Sequence, residues 1–520
     1  VKLAIRYKFQ TFIKLLLVLS LLLPEVVFAQ TLDPLRLELS ASLDEDTYKL
    51  IPCGENGVLV FYKGERSKEK GTWWHFALFN TQLQEKWILD TLLINDIEYV
   101  DHKLDKDYAY LMFYKSDKVK DESNLQIMRI DIAESFIKIQ DFNASEKSII
   151  SGFEVVYPYV YFGMNHKKSS CSIAFCKLST NEIQEKHYDI AGLAQVQKIV
   201  YDTKKNKMFS IIDQYLSKDD QSLVISAYNL GSLTASSIEI QSVLEGKYLN
   251  NAELIMLNDT IFVLGTYSNE RSKMSTSDED AFPESSGYYI AQFVNGSQKF
   301  IHYYNFLEFD NLNNTYGNMD VKRVKRKSTK QEKKGDEYSL DYRLILHPVI
   351  GYNNNMVLLA ESFYPEYRTV TNMTYDYYGR MIPQTYTVFD GYKYLSGIVA
   401  SFNKNGQLVW NGEIEMQNIL TFDLKDYVHA YSLQNELALF YNNKGKIYYK
   451  IIDENNASND EQSLNLKMKY NRDRIIEDKS GQMLHWYDNY FLCSGYQEIR
   501  NNSRANSKRA VFYLSKIAFQ

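Results

Sequence analysis

The chain has 520 residues, 45% of them hydrophobic and 24% charged, an ordinary globular composition with ample material for a large core. Its formal net charge of −6 argues against nucleic acid as a partner, and four cysteines are too few for a disulfide scaffold.

Residues 1–29 read as a secretory leader. Lys2, Arg6, Lys8 and Lys14 precede the apolar run 15–23, and Val27-Phe28-Ala29 offers a cleavage site before Gln30. The apolar run is too short for a membrane helix, which needs about 20 residues. No cysteine follows the cut to carry a lipid, and no later stretch is apolar enough to cross a membrane. Cleavage would remove four basic residues and Glu25, leaving a mature charge of −9. The expectation is an exported bacterial protein, periplasmic, cell-surface or secreted, and monomeric.

From residue 30 onward one element recurs, a turn residue followed by a short apolar run rich in aromatic and β-branched side chains. The runs open at Asn56, Asp107, Tyr157, Asn206, Asp259, Asn355, Asn435 and Asn489, at intervals of 51, 50, 49, 53, 96, 80 and 54 residues. Seven of the eight openers are Asn or Asp, which tolerate tight turns. A period near 50 with two enlarged intervals predicts a β-propeller with loop insertions.

A weaker strand precedes each run and a hairpin follows it, so each repeat has four strands, A to D. The runs in B and C are almost continuously apolar, as strands covered on both faces are. The eighth repeat ends on its C strand at 511–520. The lone segment 35–40 alternates apolar and polar residues and is expected to supply the missing outer strand, closing the ring. The reading is therefore all-β, a single propeller of eight four-stranded blades over 30–520, with seven blades as the alternative.

The C–D hairpin Ser401-Phe402-Asn403-Lys404-Asn405-Gly406-Gln407-Leu408-Val409-Trp410 resembles the blade hairpins of secreted bacterial propellers of the PQQ-like and kelch-like kind. The kelch glycine pair and the regular PQQ-like tryptophan motif are both missing, so the resemblance implies architecture and no cofactor. The fold itself hosts hydrolases, lyases, receptors and assembly factors alike.

Chemistry is sparse. There is no G-x-S-x-G, and the eight histidines stand singly in different repeats. His102, beside Asp101 near a predicted inner strand, is the one placed to face a channel. Cys171 and Cys176 share a predicted strand and would lie about 16 Å apart, out of reach of a disulfide. Cys53 and Cys493 fall in repeats that ring closure would make neighbours, which allows a bridge across the seam. The acidic loops 278–280 and 310–314 lack calcium-loop spacing and read as solvated, as does the basic run 322–334. No metal site is expected.

The richest segment is 363–394, with eight tyrosines in 32 residues against 42 in all 520. Tyrosine gives broad contact area at low entropic cost, so Tyr364, Tyr367, Arg368, Tyr375, Tyr377, Tyr378, Arg380 and Tyr386 are the candidate binding residues. The long insertions 268–286, 308–339 and 364–391 are all B–C or D–A connections, which leave an up-and-down blade at one end. Clustered long loops on a rigid scaffold usually carry binding. The expectation is a non-catalytic binding or assembly propeller of the cell envelope, recognising another envelope protein through this face of blades 5 and 6; the alternative is a protein that binds or acts on glycans.

Overall fold

A computed structural model describes residues 35–519, apart from 44–46, 68–70, 118–121, 145–147, 167–169, 181, 189–191, 217–220, 241–245, 271–281, 310–311, 313–338, 376, 434–435, 453–459 and 504–506. The expected leader 1–29, the basic run 322–334 and most of the two acidic loops lie outside the described residues.

The protein is an all-β propeller. Among the described residues its strands form eight antiparallel sheets, numbered 1 to 8 in chain order, over residues 48–94, 98–144, 148–187, 193–240, 248–305, 342–415, 429–465 and 474–518. Each runs A-B-C-D across the sheet in chain order, except that Arg36–Ser40 supplies the outer strand of sheet 8 and that sheet 6 adds the short strands Glu284–Ser285, Ile350–Tyr352 and Leu420–Thr421. That strand pairs from Arg36↔Ser515 to Ser40↔Val511, so the N-terminal segment fastens the last sheet as its alternating pattern predicts. Arg509 bolts the joint, with Nε 3.0 Å from Glu38 Oε2 on the N-terminal strand and Nη2 2.6 Å from Asp473 Oδ2.

Eight apolar cores lie between the sheets, one for each successive pair. The last, with Val58, Val60, Leu492, Phe512 and Leu514, joins sheet 8 to sheet 1. Trp486 Nε1 donates to the Gly57 carbonyl oxygen at 2.8 Å across the same seam. The continuous apolar runs of strands B and C are buried because each face meets a different core. Leu358 faces the core with sheet 5, whereas its neighbours Val357 and Leu359 face the core with sheet 7.

Backbone turns sit where Asn and Asp were expected, often one residue earlier. Left-handed φ values occur at Lys106, Asn206, Asn258, Asn353, Asn354 and Asp488. Cys53 and Cys493 do not meet, so the bridge that ring closure would allow across the seam is not formed. Both thiols are free; Cys53 packs between sheets 1 and 2, Cys493 between sheets 7 and 8, and burial pushes the Cys53 thiol up to about 12.

Candidate functional site

The segment 364–391 is not a loop. Strands Asn355–Tyr375 and Met381–Phe402 pair continuously through 20 residues, from Met356↔Phe402 to Tyr375↔Met381. Their first halves are strands B and C of sheet 6, and their second halves project as a two-stranded ribbon. The sequence permits this because Thr-Val-Thr-Asn-Met-Thr-Tyr and its partner Gln-Thr-Tyr-Thr-Val-Phe carry β-prone residues throughout. Register shifts at Ser362/Phe363 and Glu366/Tyr367 mark the departure from the sheet, where bulges bend a strand. Beyond Tyr392, where Thr421 pairs briefly, no third strand joins the ribbon among the described residues.

The root is held by aromatic contacts. The Phe389 ring lies 5.7 Å from Tyr367, 5.0 Å from Tyr392 and 6.0 Å from Phe422. Arg368 Nε meets Asp390 Oδ1 at 3.0 Å. Farther out, Thr371 bonds Thr385 at 3.2 Å and Asn372 Nδ2 bonds Tyr386 Oη at 2.9 Å across the strands.

All eight candidate binding residues lie on the ribbon, but not on one face. Cross-strand pairing puts Tyr367 and Tyr375 on one side, with Met373 and Met381, and Arg368 and Tyr386 on the other. Tyr377, Tyr378 and Arg380 form the tip, with the Arg380 guanidinium 5.7 Å from the Tyr378 ring centre. Tyr364 is at the root. Exposure rises outward, from 37% at Tyr364 to 73% at Tyr375 and 98% at Tyr377. Tyr392 and Tyr394, counted in the same tyrosine-rich segment, are core residues instead; the Tyr394 hydroxyl donates to the Lys425 carbonyl oxygen at 2.8 Å.

The described ends of the other two insertions gather at this root. Glu284–Ser285 pairs with Tyr342 and Arg343, joining the sheet 5 connection to strand A of sheet 6. Ser286 Oγ donates to Asp341 Oδ1 at 2.6 Å, and the Phe282 and Phe363 rings meet edge to face at 5.6 Å. Insertion 308–339 is not wholly solvated: Phe309 and Leu312 are buried between sheets 5 and 6.

A second polar assembly lies at the hub, where the A strands of neighbouring sheets meet. Lys103 Nζ bonds Glu154 Oε1 at 2.9 Å between sheets 2 and 3, and Lys198 Nζ bonds Glu253 Oε1 at 2.5 Å between sheets 4 and 5. Burial raises the pKa of both carboxylates despite their lysines. Past sheet 5 the belt continues as His347 and Glu361. Glu361 is fully buried, and its Oε1 accepts from His347 Nε2 at 2.9 Å and from the backbone N–H groups of Tyr427 at 2.8 Å and Val428 at 2.7 Å. Burial raises the Glu361 pKa. Burial alone would lower that of His347, but the Glu361 hydrogen bond and the nearby charge of Asp426 outweigh it. These pairs tie sheet to sheet around the axis. His102 lies against Tyr99, its Nδ1 2.8 Å from the phenol oxygen, and burial lowers its pKa.

The belt's lysine–glutamate pairs escaped the sequence reading because their members are about a repeat apart and need the A strands in register. So did one cluster of histidines: His166 and His187, read as singletons, meet at Glu185 on the edge of sheet 3.

Comparison with known protein families and with curated proteins returns no match. Among solved structures, the chain is similar to the polysaccharide lyase Uly1 at 10% identity and a TM-score of 0.38, over 81% of this chain and 89% of that one. It is similar to the WD40 domain of SCAP from fission yeast at 8% identity and a TM-score of 0.37, over 91% and 99%. It is also similar to the β-propeller domain of the Trilobed protease from Pyrococcus furiosus, at 8% identity and a TM-score of 0.33, over 80% and 93%.

Proposed function

We propose that the chain is an exported binding or assembly propeller and that the ribbon of sheet 6 is its contact with another protein of the cell envelope. The observation that carries this reading is the ribbon itself. It extends roughly 27 Å from Tyr367 to Tyr375, and among the described residues neither edge is paired with a further strand. A two-stranded hairpin is marginal in water without a third strand or a packing surface. Exposed edges also invite unwanted pairing, so unguarded ones are usually kept short or charged. Between 369 and 388 the only charged residues are Asp376 and Arg380. Low charge, exposed Tyr and Met, and free backbone donors suit strand addition by a partner chain, with pockets between alternate side chains setting specificity.

Site-specific photo-crosslinking tests the proposal. A crosslinker at Tyr375 should capture one protein at stoichiometric yield from envelope preparations, while one at Phe136, exposed on the outer strand of sheet 2, should not. Equal labelling from both positions, or capture of glycan alone at Tyr375, would reject a protein partner at the ribbon.

A further inference from the structure

We propose that His166 Nε2, Glu185 Oε1 and His187 Nε2 form a binding site for a divalent transition-metal ion of the zinc class. This site is on sheet 3 and is independent of the ribbon. It follows from strand register. His166 ends strand Tyr159–His166, Ser172 lies near the start of Cys171–Lys177, and Glu185 and His187 are two apart on the outer strand Glu182–His187. The pairs Met164↔Ser172, Ser172↔His187 and Ala174↔Glu185 put all four side chains on one face of the sheet.

The distances fit a small coordination sphere. Glu185 Oε1 lies 3.5 Å from His166 Nε2 and 3.3 Å from His187 Nε2, and the three ligand atoms all fall within 4.8 Å of one another. Tetrahedral zinc with bonds of 2.0–2.1 Å separates its ligands by about 3.3–3.4 Å, so two edges are already set and a small ring movement closes the third. Two imidazoles with one carboxylate match zinc, nickel, cobalt or copper; calcium and magnesium prefer all-oxygen shells.

The surroundings are built for ligation as well. The Ser172 hydroxyl donates to Glu185 Oε1 at 2.7 Å and lies 2.7 Å from His166 Nε2, holding the carboxylate toward the rings as an outer-shell partner does. His166 is buried and fixed, whereas the His187 side chain is 58% exposed and gives an ion an open approach. A bound ion would link strands B and D across strand C, and a fourth position would stay open to water.

The test is a titration of the chelator-treated, tag-free full chain with Zn²⁺ at pH 7.5. We expect one equivalent bound at micromolar Kd or tighter, with a rise in Tm and no competition from millimolar Ca²⁺ or Mg²⁺. His187→Ala removes an exposed ligand, so its metal-free Tm should be unchanged while affinity falls at least tenfold; Glu185→Gln should behave alike. His75→Ala, which removes a surface histidine paired with Asp90, should bind as the parent does. Absence of stoichiometric binding, or binding that survives both His187→Ala and Glu185→Gln, would overturn the site.

Discussion

The two halves of the hairpin in sheet 6 share the same two strands and antiparallel pairing, yet live in different surroundings. From Met356 to Phe363 and from Tyr394 to Phe402 the side chains are almost all buried, clamped by the cores with sheets 5 and 7. From Tyr367 to Tyr375 and from Met381 to Thr387 they are mostly exposed, and among the described residues they belong to no apolar core. Pairing alone therefore does not explain why the outer half exists. The inner half is stabilised by burial; the outer half leaves apolar rings in water on a ribbon that adds little to the fold. Such a surface fits the contact role proposed for the ribbon.

Substitutions along this hairpin sharpen the contrast, and the largest effects belong to the inner half. Leu358→Ala, fully buried between sheets 5 and 6, should destabilise by about 4 kcal/mol in denaturant unfolding. The matching change in the outer half, Met373→Ala, should cost under about 0.5 kcal/mol; equal losses would dissolve the distinction. Glu361→Ala strands His347 and two backbone N–H groups without their acceptor and should destabilise by about 3 kcal/mol.

Next to this pair, burial holds the half-buried His429 down to about 4, against 6.5 for a free imidazole. The fold thus favours the neutral ring. Its contribution is complete above pH 6.5 and is lost as pH falls through about 4, because the unfolded chain binds the proton first. Urea midpoints measured across pH 4–6.5 should show a loss on the order of 2 kcal/mol that His429→Gln flattens. Smallest of all, Tyr377→Ala combined with Tyr378→Ala at the tip should shift stability by no more than about 0.5 kcal/mol, read from the same midpoints.

Much of the fold was legible because its repeats announce themselves. Apolar runs such as Val58–Phe61 and Leu437–Phe440 mark strands covered on both faces, and they are buried. The closing role of Arg36–Ser40 was legible from its alternation. The ribbon occupies a segment expected to be a loop, because it carries no continuous apolar run. Its alternating Thr, Val and Tyr were a strand signal for a two-faced, solvated pair. Leu312, read as part of a solvated loop, gave no local sign that it reaches a core. The hub pairs Lys103–Glu154 and Lys198–Glu253, and the meeting of His166 with Glu185 and His187, depend on register between strands up to 55 residues apart, which spacing along the chain does not reveal.

On the proposed function, the outer half of the hairpin serves contact and not folding. The most direct test replaces residues 368–388 with a two-residue Asn-Gly turn and measures, on one preparation, the unfolding midpoint and the capture of the partner that the full chain retains. An unchanged midpoint, within about 0.5 kcal/mol in stability, together with loss of capture is the predicted result. Full capture by the trimmed chain, or its collapse to an unfolded state, would contradict it.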